Sequence, residues 1–251
     1  MKPLPLVCTV CLSWAALLLA SARASENDLG KPVHDDEVHV FLLSEVLEYR
    51  RTTEGGESAA WDVVGWIGGD YNRVWVKSEG EGELGSRASG TFDAQILYGR
   101  LIAPYWDLQI GFRQEWKYGP GKDRTRTSVV FGVQGLTPYR FELEPSLFIS
   151  EEGDISARIT ADYDLLLTQR LILQPRIETE LALQKVEEFG VGRGIHHVEM
   201  GLRLRHELHR KFAPYFGMAW RRDVGGTAAL ARKEGREVED LSLAAGVRMW
   251  F

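Results

Sequence analysis

The chain has 251 residues and a formal net charge of −6 at pH 7. An acidic chain offers no basic stripe to neutralise phosphates, so the composition argues against nucleic acid as a partner. The two cysteines, Cys8 and Cys11, both lie in an N-terminal segment that we expect to be removed. The mature protein should then have neither a disulfide nor a thiolate metal site.

Residues 1–24 have the features of a secretory signal peptide. Lys2 supplies a positive start, residues 6–20 form an apolar run, and small residues around Ala22 fit a cleavage site. The alternative, an uncleaved anchor, needs roughly 18 to 20 apolar residues, which this run does not reach. Residues 25–36 are predicted to be a short, flexible periplasmic leader, and residues 37–251 the folded domain.

Apolar and polar residues alternate with a period of two along most of residues 37–251, which predicts β-strands. In chain order, the predicted strands are residues 38–50, 61–69, 74–83, 91–101, 106–116, 127–136, 139–149, 155–167, 171–183, 197–208, 212–221 and 238–251. The pattern is clear in residues 155–183, where a three-residue link joins two arms of about ten residues each, the span of a tilted transmembrane strand.

About twelve such strands predict an all-β fold, a transmembrane antiparallel up-and-down β-barrel in the outer membrane, apolar outside and charged inside. The even count and the alternation of tight turns with mostly longer loops agree with this prediction. Pro104-Tyr105 and Pro138-Tyr139 are predicted turns, and Ala213-Pro214-Tyr215 is interpreted as a third copy of the same turn. The alternative is a soluble barrel of the lipocalin type, which has fewer strands and an apolar interior.

The lumen face of these strands collects charged and amide side chains, and acids outnumber bases among them. The predicted lumen network comprises Lys77, Glu79, Glu81, Asp93, Gln95, Asp107, Gln109, Arg113, Glu115, Glu142, Glu144, Arg158, Asp162, Asp164, Gln174, Arg176, Glu178, Glu180, Glu199, Arg203, Arg205 and Glu207. One interpretation is a cation pathway, because rings of carboxylates select cations. The other is a salt-bridged plug that keeps buried charges paired and closes a narrow barrel.

Several segments together resemble one known family. They are residues 75–81, 97–109, 132–139, 165–175, 201–205 and 212–215, with the terminal Trp250-Phe251. The second of them includes the run Leu101-Ile102-Ala103-Pro104-Tyr105-Trp106-Asp107. In this order the segments are similar to the copper resistance protein B family of Gram-negative bacteria. The resemblance implies an outer-membrane barrel that binds copper ions or assists their sequestration or efflux, surrounded by outer-membrane lipid and working alongside a periplasmic multicopper oxidase.

The chain departs from the family in its leader. Many members carry a long Met- and His-rich segment before the barrel, with soft ligands that suit Cu(I), whereas residues 25–36 contain no methionine here. Met200, Met218 and Met249 are predicted on the lipid face, where methionine is simply apolar. If the leader binds copper in the relatives, this chain lacks that device.

Histidine and carboxylate side chains are the remaining candidate ligands, and together they suit Cu(II) or another divalent ion. One predicted metal group consists of His34, Asp35, Asp36 and His39, for which the plainer interpretation is a solvated acidic leader. The other candidate is His197. Only one of two adjacent residues in a regular strand faces inward, and the alternation assigns the lumen to His197 rather than His196. A surface or interfacial position is the plainer interpretation for His196 and His197 alike.

Three functions therefore compete. The first is a barrel that is not an enzyme and serves copper resistance and homeostasis, with copper ions as ligand or cargo. The second is a structural or passive outer-membrane barrel with no direct metal role. The third is a lipid hydrolase, which requires an outward Ser beside an outward His, and the sequence singles out no such pair.

Overall fold

A computed structural model of the protein describes residues 37–85, 89–119 and 123–251. The predicted signal peptide and nearly all of the leader lie outside the described residues. The strands are β1 (His39–Thr52), β2 (Glu57–Gly68), β3 (Asn72–Glu83), β4 (Gly90–Ala103), β5 (Trp106–Tyr118), β6 (Arg124–Leu136), β7 (Phe141–Ser150), β8 (Ile155–Tyr163), β9 (Leu165–Leu166), β10 (Leu171–Ala182), β11 (Gly194–His206), β12 (Phe212–Asp223) and β13 (Glu239–Trp250). One helix, α1 (Gly225–Lys233), lies between β12 and β13.

These segments form one closed antiparallel sheet. Each strand pairs with the next one along the chain, except that β8 pairs with β10 rather than with β9. β10 also pairs with β11, and β1 pairs with β13, so the sheet closes on itself. β9 has only two residues and continues the line of β8 along β10 after an interruption at Asp164. The wall therefore has twelve strands, as the sequence predicted. No helix among the described residues is long and apolar enough to span a membrane.

The two faces of the wall have the polarity of a membrane barrel. On β5, Ile110 and Phe112 are exposed on the outer face, whereas Gln109 and Arg113 are buried on the inner face. A soluble protein would place these residues the other way round, because apolar surface is favoured away from water. A small apolar cluster of Trp75, Leu97, Val130 and Phe148 lies among the inner side chains.

The connections differ between the two ends of the barrel. One end, here the turn end, carries the links 69–71, 104–105, 137–140, 167–170 and 207–211, while the other, the loop end, carries 53–56, 84–89, 119–123, 151–154, 183–193 and 224–238. Short turns are periplasmic and longer loops external in such barrels. The predicted strands left residues 51–60 between them, whereas β1 and β2 extend further and leave only residues 53–56, which are closed by the hydrogen bond from Thr52 N to Gly56 O.

Two of the three predicted Pro-Tyr turns are confirmed. Tyr105 and Tyr139 follow proline in the turns and adopt φ values of 68° and 72°, as the third residue of a type II turn does. The third copy was a wrong prediction, because Ala213 and Tyr215 lie buried within β12 and face the lumen. The three residues Ala-Pro-Tyr do not by themselves distinguish a turn from a strand that contains a proline.

Candidate functional site

Two cavities lie in the lumen that the described strands enclose. The upper chamber, at the loop end, has a volume of about 300 Å³, and the lower chamber, toward the turn end, has about 330 Å³. Of the predicted network, the upper chamber is lined by Glu79, Glu81, Asp93, Arg113, Glu115, Arg158, Arg176, Glu178, Glu180, Glu199 and Arg203, and by His197. The lower chamber is lined by Lys77, Glu79, Gln95, Glu142, Glu144, Arg158, Asp162 and Arg176.

The two chambers meet at a waist of four charged side chains. Asp62, Glu79, Arg158 and Arg176 line both cavities. Arg176 Nη1 lies 3.1 Å from Asp62 Oδ2, and Arg158 Nη1 lies 2.6 Å from Glu79 Oε2. Each pair joins strands from opposite sides of the barrel, so the waist is crossed twice by an arginine–carboxylate contact.

Above the waist, a cluster of ion pairs joins the two ends of the chain. Glu48 accepts hydrogen bonds from Arg50 Nε at 2.6 Å and from Arg203 Nε at 3.0 Å. Arg50 also reaches Glu199 Oε1 at 3.1 Å, and Arg221 contacts both Glu81 and Glu199. Glu48 and Arg50 face inward because β1 shifts its register between Ser44 and Val46, which moves the inner face from odd to even positions.

A second group of ion pairs involves residues of β4, β5, β6, β8 and β10. Arg113 Nη2 is 2.7 Å from Asp93 Oδ2, and Arg158 Nε is 2.6 Å from Glu180 Oε1. Arg126 Nη2 is 2.6 Å from Glu115 Oε2 at the height of the loop end. Most of the carboxylates that line the upper chamber are therefore engaged with guanidinium groups, whereas Asp223 contacts His197.

A β-bulge places both adjacent histidines inside the upper chamber. In the pairing of β10 with β11, Glu180 lies opposite His197 and Leu181 opposite Ile195, so His196 is the extra residue. His196 Nε2 lies 3.4 Å from Glu180 Oε2, and His197 Nδ1 lies 3.5 Å from Asp223 Oδ1. The prediction that only His197 faces inward, and that a surface position is plainer, was therefore wrong.

The upper chamber is covered by a lid, defined as residues 183–193. Arg126 Cζ lies 4.4 Å above the ring of Phe189, and Lys117 Nζ donates to Phe189 O at 2.8 Å. Gly192 N donates to Thr227 Oγ1 on α1 at 2.7 Å. The lid thus reaches from β10 to β5 and β6, with α1 packed beside it against β11 and β12. On its exposed side, a hydrogen bond from Lys185 lowers the pKa of Glu187.

The lid depends on a close backbone approach at Gly192. A Cβ atom at this position would lie 2.3 Å from the backbone nitrogen of Thr227. Gly192→Ala is expected to unseat the lid from α1, because a backbone clash is not relieved by side-chain rotation. Trypsin should then cleave the barrel in vesicles at Lys185 or Arg193 faster than it cleaves the wild type. Gly69→Ala, where the nearest atom would be 3.9 Å away, is the control. Equal cleavage of both variants would contradict the proposed seating.

In the lower chamber, carboxylates outnumber their basic partners. Lys77 Nζ contacts Glu144 Oε1 at 2.6 Å and also donates to Gln134 at 3.0 Å. Glu142 accepts a hydrogen bond from Gln134, and it lies opposite Asp162 in the pairing of β7 with β8. Asp162 has one buried carboxylate oxygen without a hydrogen-bond partner.

The remaining predicted network residues lie nearer the turn end. Asp107 pairs with Arg73 at 3.2 Å, and Arg205 pairs with Asp164 at 2.8 Å and donates to Gln174. Gln109 donates to Gln134 at 3.1 Å. Glu207 was predicted within a strand, but β11 ends at His206, so Glu207 lies in the turn.

Of the five predicted metal residues, the structure describes two, His39 and His197, and it places these two at opposite ends of the barrel. His34, Asp35 and Asp36 lie outside the described residues. His39 is exposed at the turn end, where it pairs with Gly68, whereas His197 is at the loop end. Within residues 37–85, 89–119 and 123–251, no three His, Cys, Asp or Glu side chains already form a metal-binding group. Met200 and Met218 are exposed on the outer face, as predicted.

Sequence reasoning missed several inner side chains. These are Glu45, Glu48, Arg50, Asp62, Arg126, His196, Arg221 and Asp223. The irregular alternation of β1 was the signal that could have identified the residues of that strand. Leu43 and Val46 are both buried but lie three positions apart, whereas residues on one face of a regular strand lie an even number of positions apart.

Comparison with known proteins decides the family. The family described as Copper resistance protein B precursor (CopB) matches residues 38–251. The chain belongs to the CopB family. Copper resistance protein B of Escherichia coli is 41% identical over 92% of this chain and 76% of the relative. The Copper resistance protein B homolog of Pseudomonas syringae pv. tomato is 39% identical over 88% of this chain and 73% of the relative.

Solved structures with the same fold are outer-membrane barrels. The NanC porin matches with a TM-score of 0.53 at 10% identity, covering 84% of this chain and 99% of the porin. Outer membrane phospholipase A from Escherichia coli matches with a TM-score of 0.52 at 8% identity, covering 84% and 92%. At these identities the likeness concerns the fold alone. Together with the CopB family, it places this chain in the outer membrane.

CopB membership gives the chain a role in copper resistance. The copper resistance relatives and the porin-like barrels favour a protein that is not an enzyme, although the phospholipase shows that such a barrel also carries catalysis.

Proposed function

We propose that this barrel serves copper resistance by binding Cu(II) inside its covered upper chamber, rather than by acting as an open pore. The observation that carries the proposal is the position of His196 and His197. The bulge makes both side chains face the same chamber, which is also lined by Glu180, Glu199 and Asp223. Neutral imidazole and carboxylate are ligands that suit Cu(II), whereas Cu(I) prefers thioether and thiolate sulfur.

Binding requires a local exchange of partners. His196 and His197 now lie 3.4 to 3.8 Å from carboxylates. A copper ion would take the imidazole nitrogens and one or more of these carboxylates, while Arg50 and Arg221 keep the charge of Glu199 balanced. The lid reduces the escape of the ion to the outside. In this proposal copper is cargo that is held and released, and a periplasmic multicopper oxidase is the partner that would act on released copper.

Copper titration of the refolded mature barrel tests this function. His196→Ala/His197→Ala should weaken Cu(II) binding by more than the roughly 10–100-fold that loss of an outer hydrogen-bond partner costs. His206→Ala, an exposed histidine at the far end of β11, is the matched control and should leave the affinity unchanged.

The other outcomes distinguish the alternatives. Unchanged binding in the double variant, combined with loss in His34→Ala/His39→Ala, would move the site to the leader group of His34, Asp35, Asp36 and His39. Absence of Cu(II) binding to the wild-type barrel would leave a structural or passive barrel, with copper handled by other components of the resistance system.

A further inference from the structure

The waist has opposite charges on opposite sides of the lumen. Asp62 on β2 and Glu79 on β3 are direct cross-strand partners. Arg176 on β10 and Arg158 on β8 come from the far wall. Around the sheet, β11, β12, β13 and β1 separate β10 from β2, and β4, β5, β6 and β7 separate β3 from β8. Both ion pairs therefore cross the barrel instead of running along its wall.

The two pairs leave little room between the chambers. The side chains of Arg158 and Arg176 are only 13% and 15% exposed, and those of Asp62 and Glu79 are 22% and 34% exposed. Because all four residues line both cavities, the space above and the space below end at the same guanidinium groups. A hydrated ion that moves directly from one cavity to the other meets these two contacts.

The arginines have a second set of partners and the waist carboxylates do not. Glu178 lies 3.8 Å from Arg158 Nε and 3.6 Å from Arg176 Nη2, and Glu180 lies 2.6 Å from Arg158 Nε. Among the described residues, Asp62 and Glu79 each have one ion pair only. If the guanidinium groups turn to Glu178 and Glu180, they stay paired, and two adjacent carboxylates are left facing the lumen.

We propose that Asp62–Arg176 and Glu79–Arg158 form a gate between the chambers, and that a divalent cation passes by taking the place of the guanidinium groups at Asp62 and Glu79. Adjacent carboxylates on neighbouring strands lie close enough to share one ion. Carboxylates that line a constriction favour cations over anions. The gate itself does not depend on the copper-binding site, and only the identity of the cation rests on the proposed function.

Single-channel recording in planar bilayers tests the gate. All variants carry Phe189→Ala, which removes the ring contact between the lid and Arg126 and is expected to loosen the lid, so that the waist becomes the main barrier. Phe189→Ala alone should show no unitary steps in KCl. Addition of Arg158→Gln and Arg176→Gln should produce steps. Arg73→Gln in the same background is the matched control, because its pair with Asp107 lines neither chamber, and it should remain silent.

A second measurement tests the exchange of cation for arginine. CuCl₂ added to the Phe189→Ala barrel should induce steps, while Asp62→Asn/Glu79→Gln in that background should conduct without copper and should not respond to it. The gate is refuted if Phe189→Ala alone already conducts in KCl. It is also refuted if the variant with Phe189→Ala, Arg158→Gln and Arg176→Gln stays silent although its heat-dependent gel migration shows that it is folded. Silence of the Phe189→Ala barrel in CuCl₂ refutes the exchange. Cu(II) titration of the histidine variants reports separately on the copper site.

Discussion

Glu48→Gln should lower the free energy of unfolding of the barrel by about 3–5 kcal/mol, the cost of leaving a buried charge without its partner. The Glu48 carboxylate is fully buried, and Arg203 is 6% exposed with no other ion pair in the described part of the chain. Glutamine keeps the size and one acceptor oxygen but removes the charge. Arg50 retains Glu81 and Glu199, so the loss falls on Arg203.

Urea unfolding of the barrel in lipid vesicles, followed by tryptophan fluorescence, measures this effect. Arg222→Gln is the control, because its pair with Glu239 is half exposed at a distance of 3.7 Å, and such pairs contribute about 0–1 kcal/mol. If Glu48→Gln and Arg222→Gln unfold at the same urea concentration, Arg203 is not dependent on Glu48, and the cluster that joins β1 to β11 is not a stabilising contact.

Phe112→Arg is expected to lower the free energy of unfolding in lipid by about 2–4 kcal/mol, as an arginine does on the lipid face at the bilayer midplane. Phe112 is 64% exposed in the middle of β5. At the surface of a soluble protein, the same substitution would be nearly neutral, since an exposed phenylalanine gains little from burial. The variant therefore reports directly on what surrounds the barrel.

The control for this substitution has a similar exposure at another depth. Tyr71, 65% exposed, lies in the turn 69–71 at the end of the barrel. Tyr71→Arg should change the free energy of unfolding by about 0–1 kcal/mol, because the penalty falls off near the interface. Equal effects of Phe112→Arg and Tyr71→Arg, measured by urea titration in vesicles, would contradict a lipid-facing β5.

The twelve strands were predictable because the contrast between the two faces persists along the chain. Each spanning segment has apolar residues toward lipid and polar residues toward the lumen, and β5 shows this without interruption. The strand ends were less predictable. β2 begins at Glu57 rather than Trp61, and β6 begins at Arg124 rather than Thr127, since strands continue beyond the membrane where polarity no longer alternates.

The candidate site was less predictable, for reasons that are local and physical. A single extra residue resets the alternation, and this happens near Glu45 in β1 and at His196 in β11. Asp62 was missed for another reason. Its partner Arg176 is on the far wall, and which side chains meet across a lumen depends on the stagger of the closed barrel rather than on any local pattern.

The helix α1 also had no signal in the sequence. It has nine residues, and no side chain caps its N-terminus. Its buried side consists of Thr227, Ala228 and Ala231. Isolated helices of this length are marginal, so α1 depends on its packing beside the lid. The family resemblance, by contrast, was correct from the sequence, because it rests on several segments in one order along the chain and not on the position of any single side chain.

The cluster around Glu48 has a consequence for how the barrel assembles. Glu48 and Arg203 are 155 residues apart, and Glu81 and Arg221 are 140 apart, so neither pair exists until β1 meets β13. Before that meeting, the charges must stay in water, because an open sheet in hydrocarbon would present them unpaired. Insertion and closure are therefore one coupled event, and a chain that lacks β1 should remain at the membrane surface rather than form a smaller barrel.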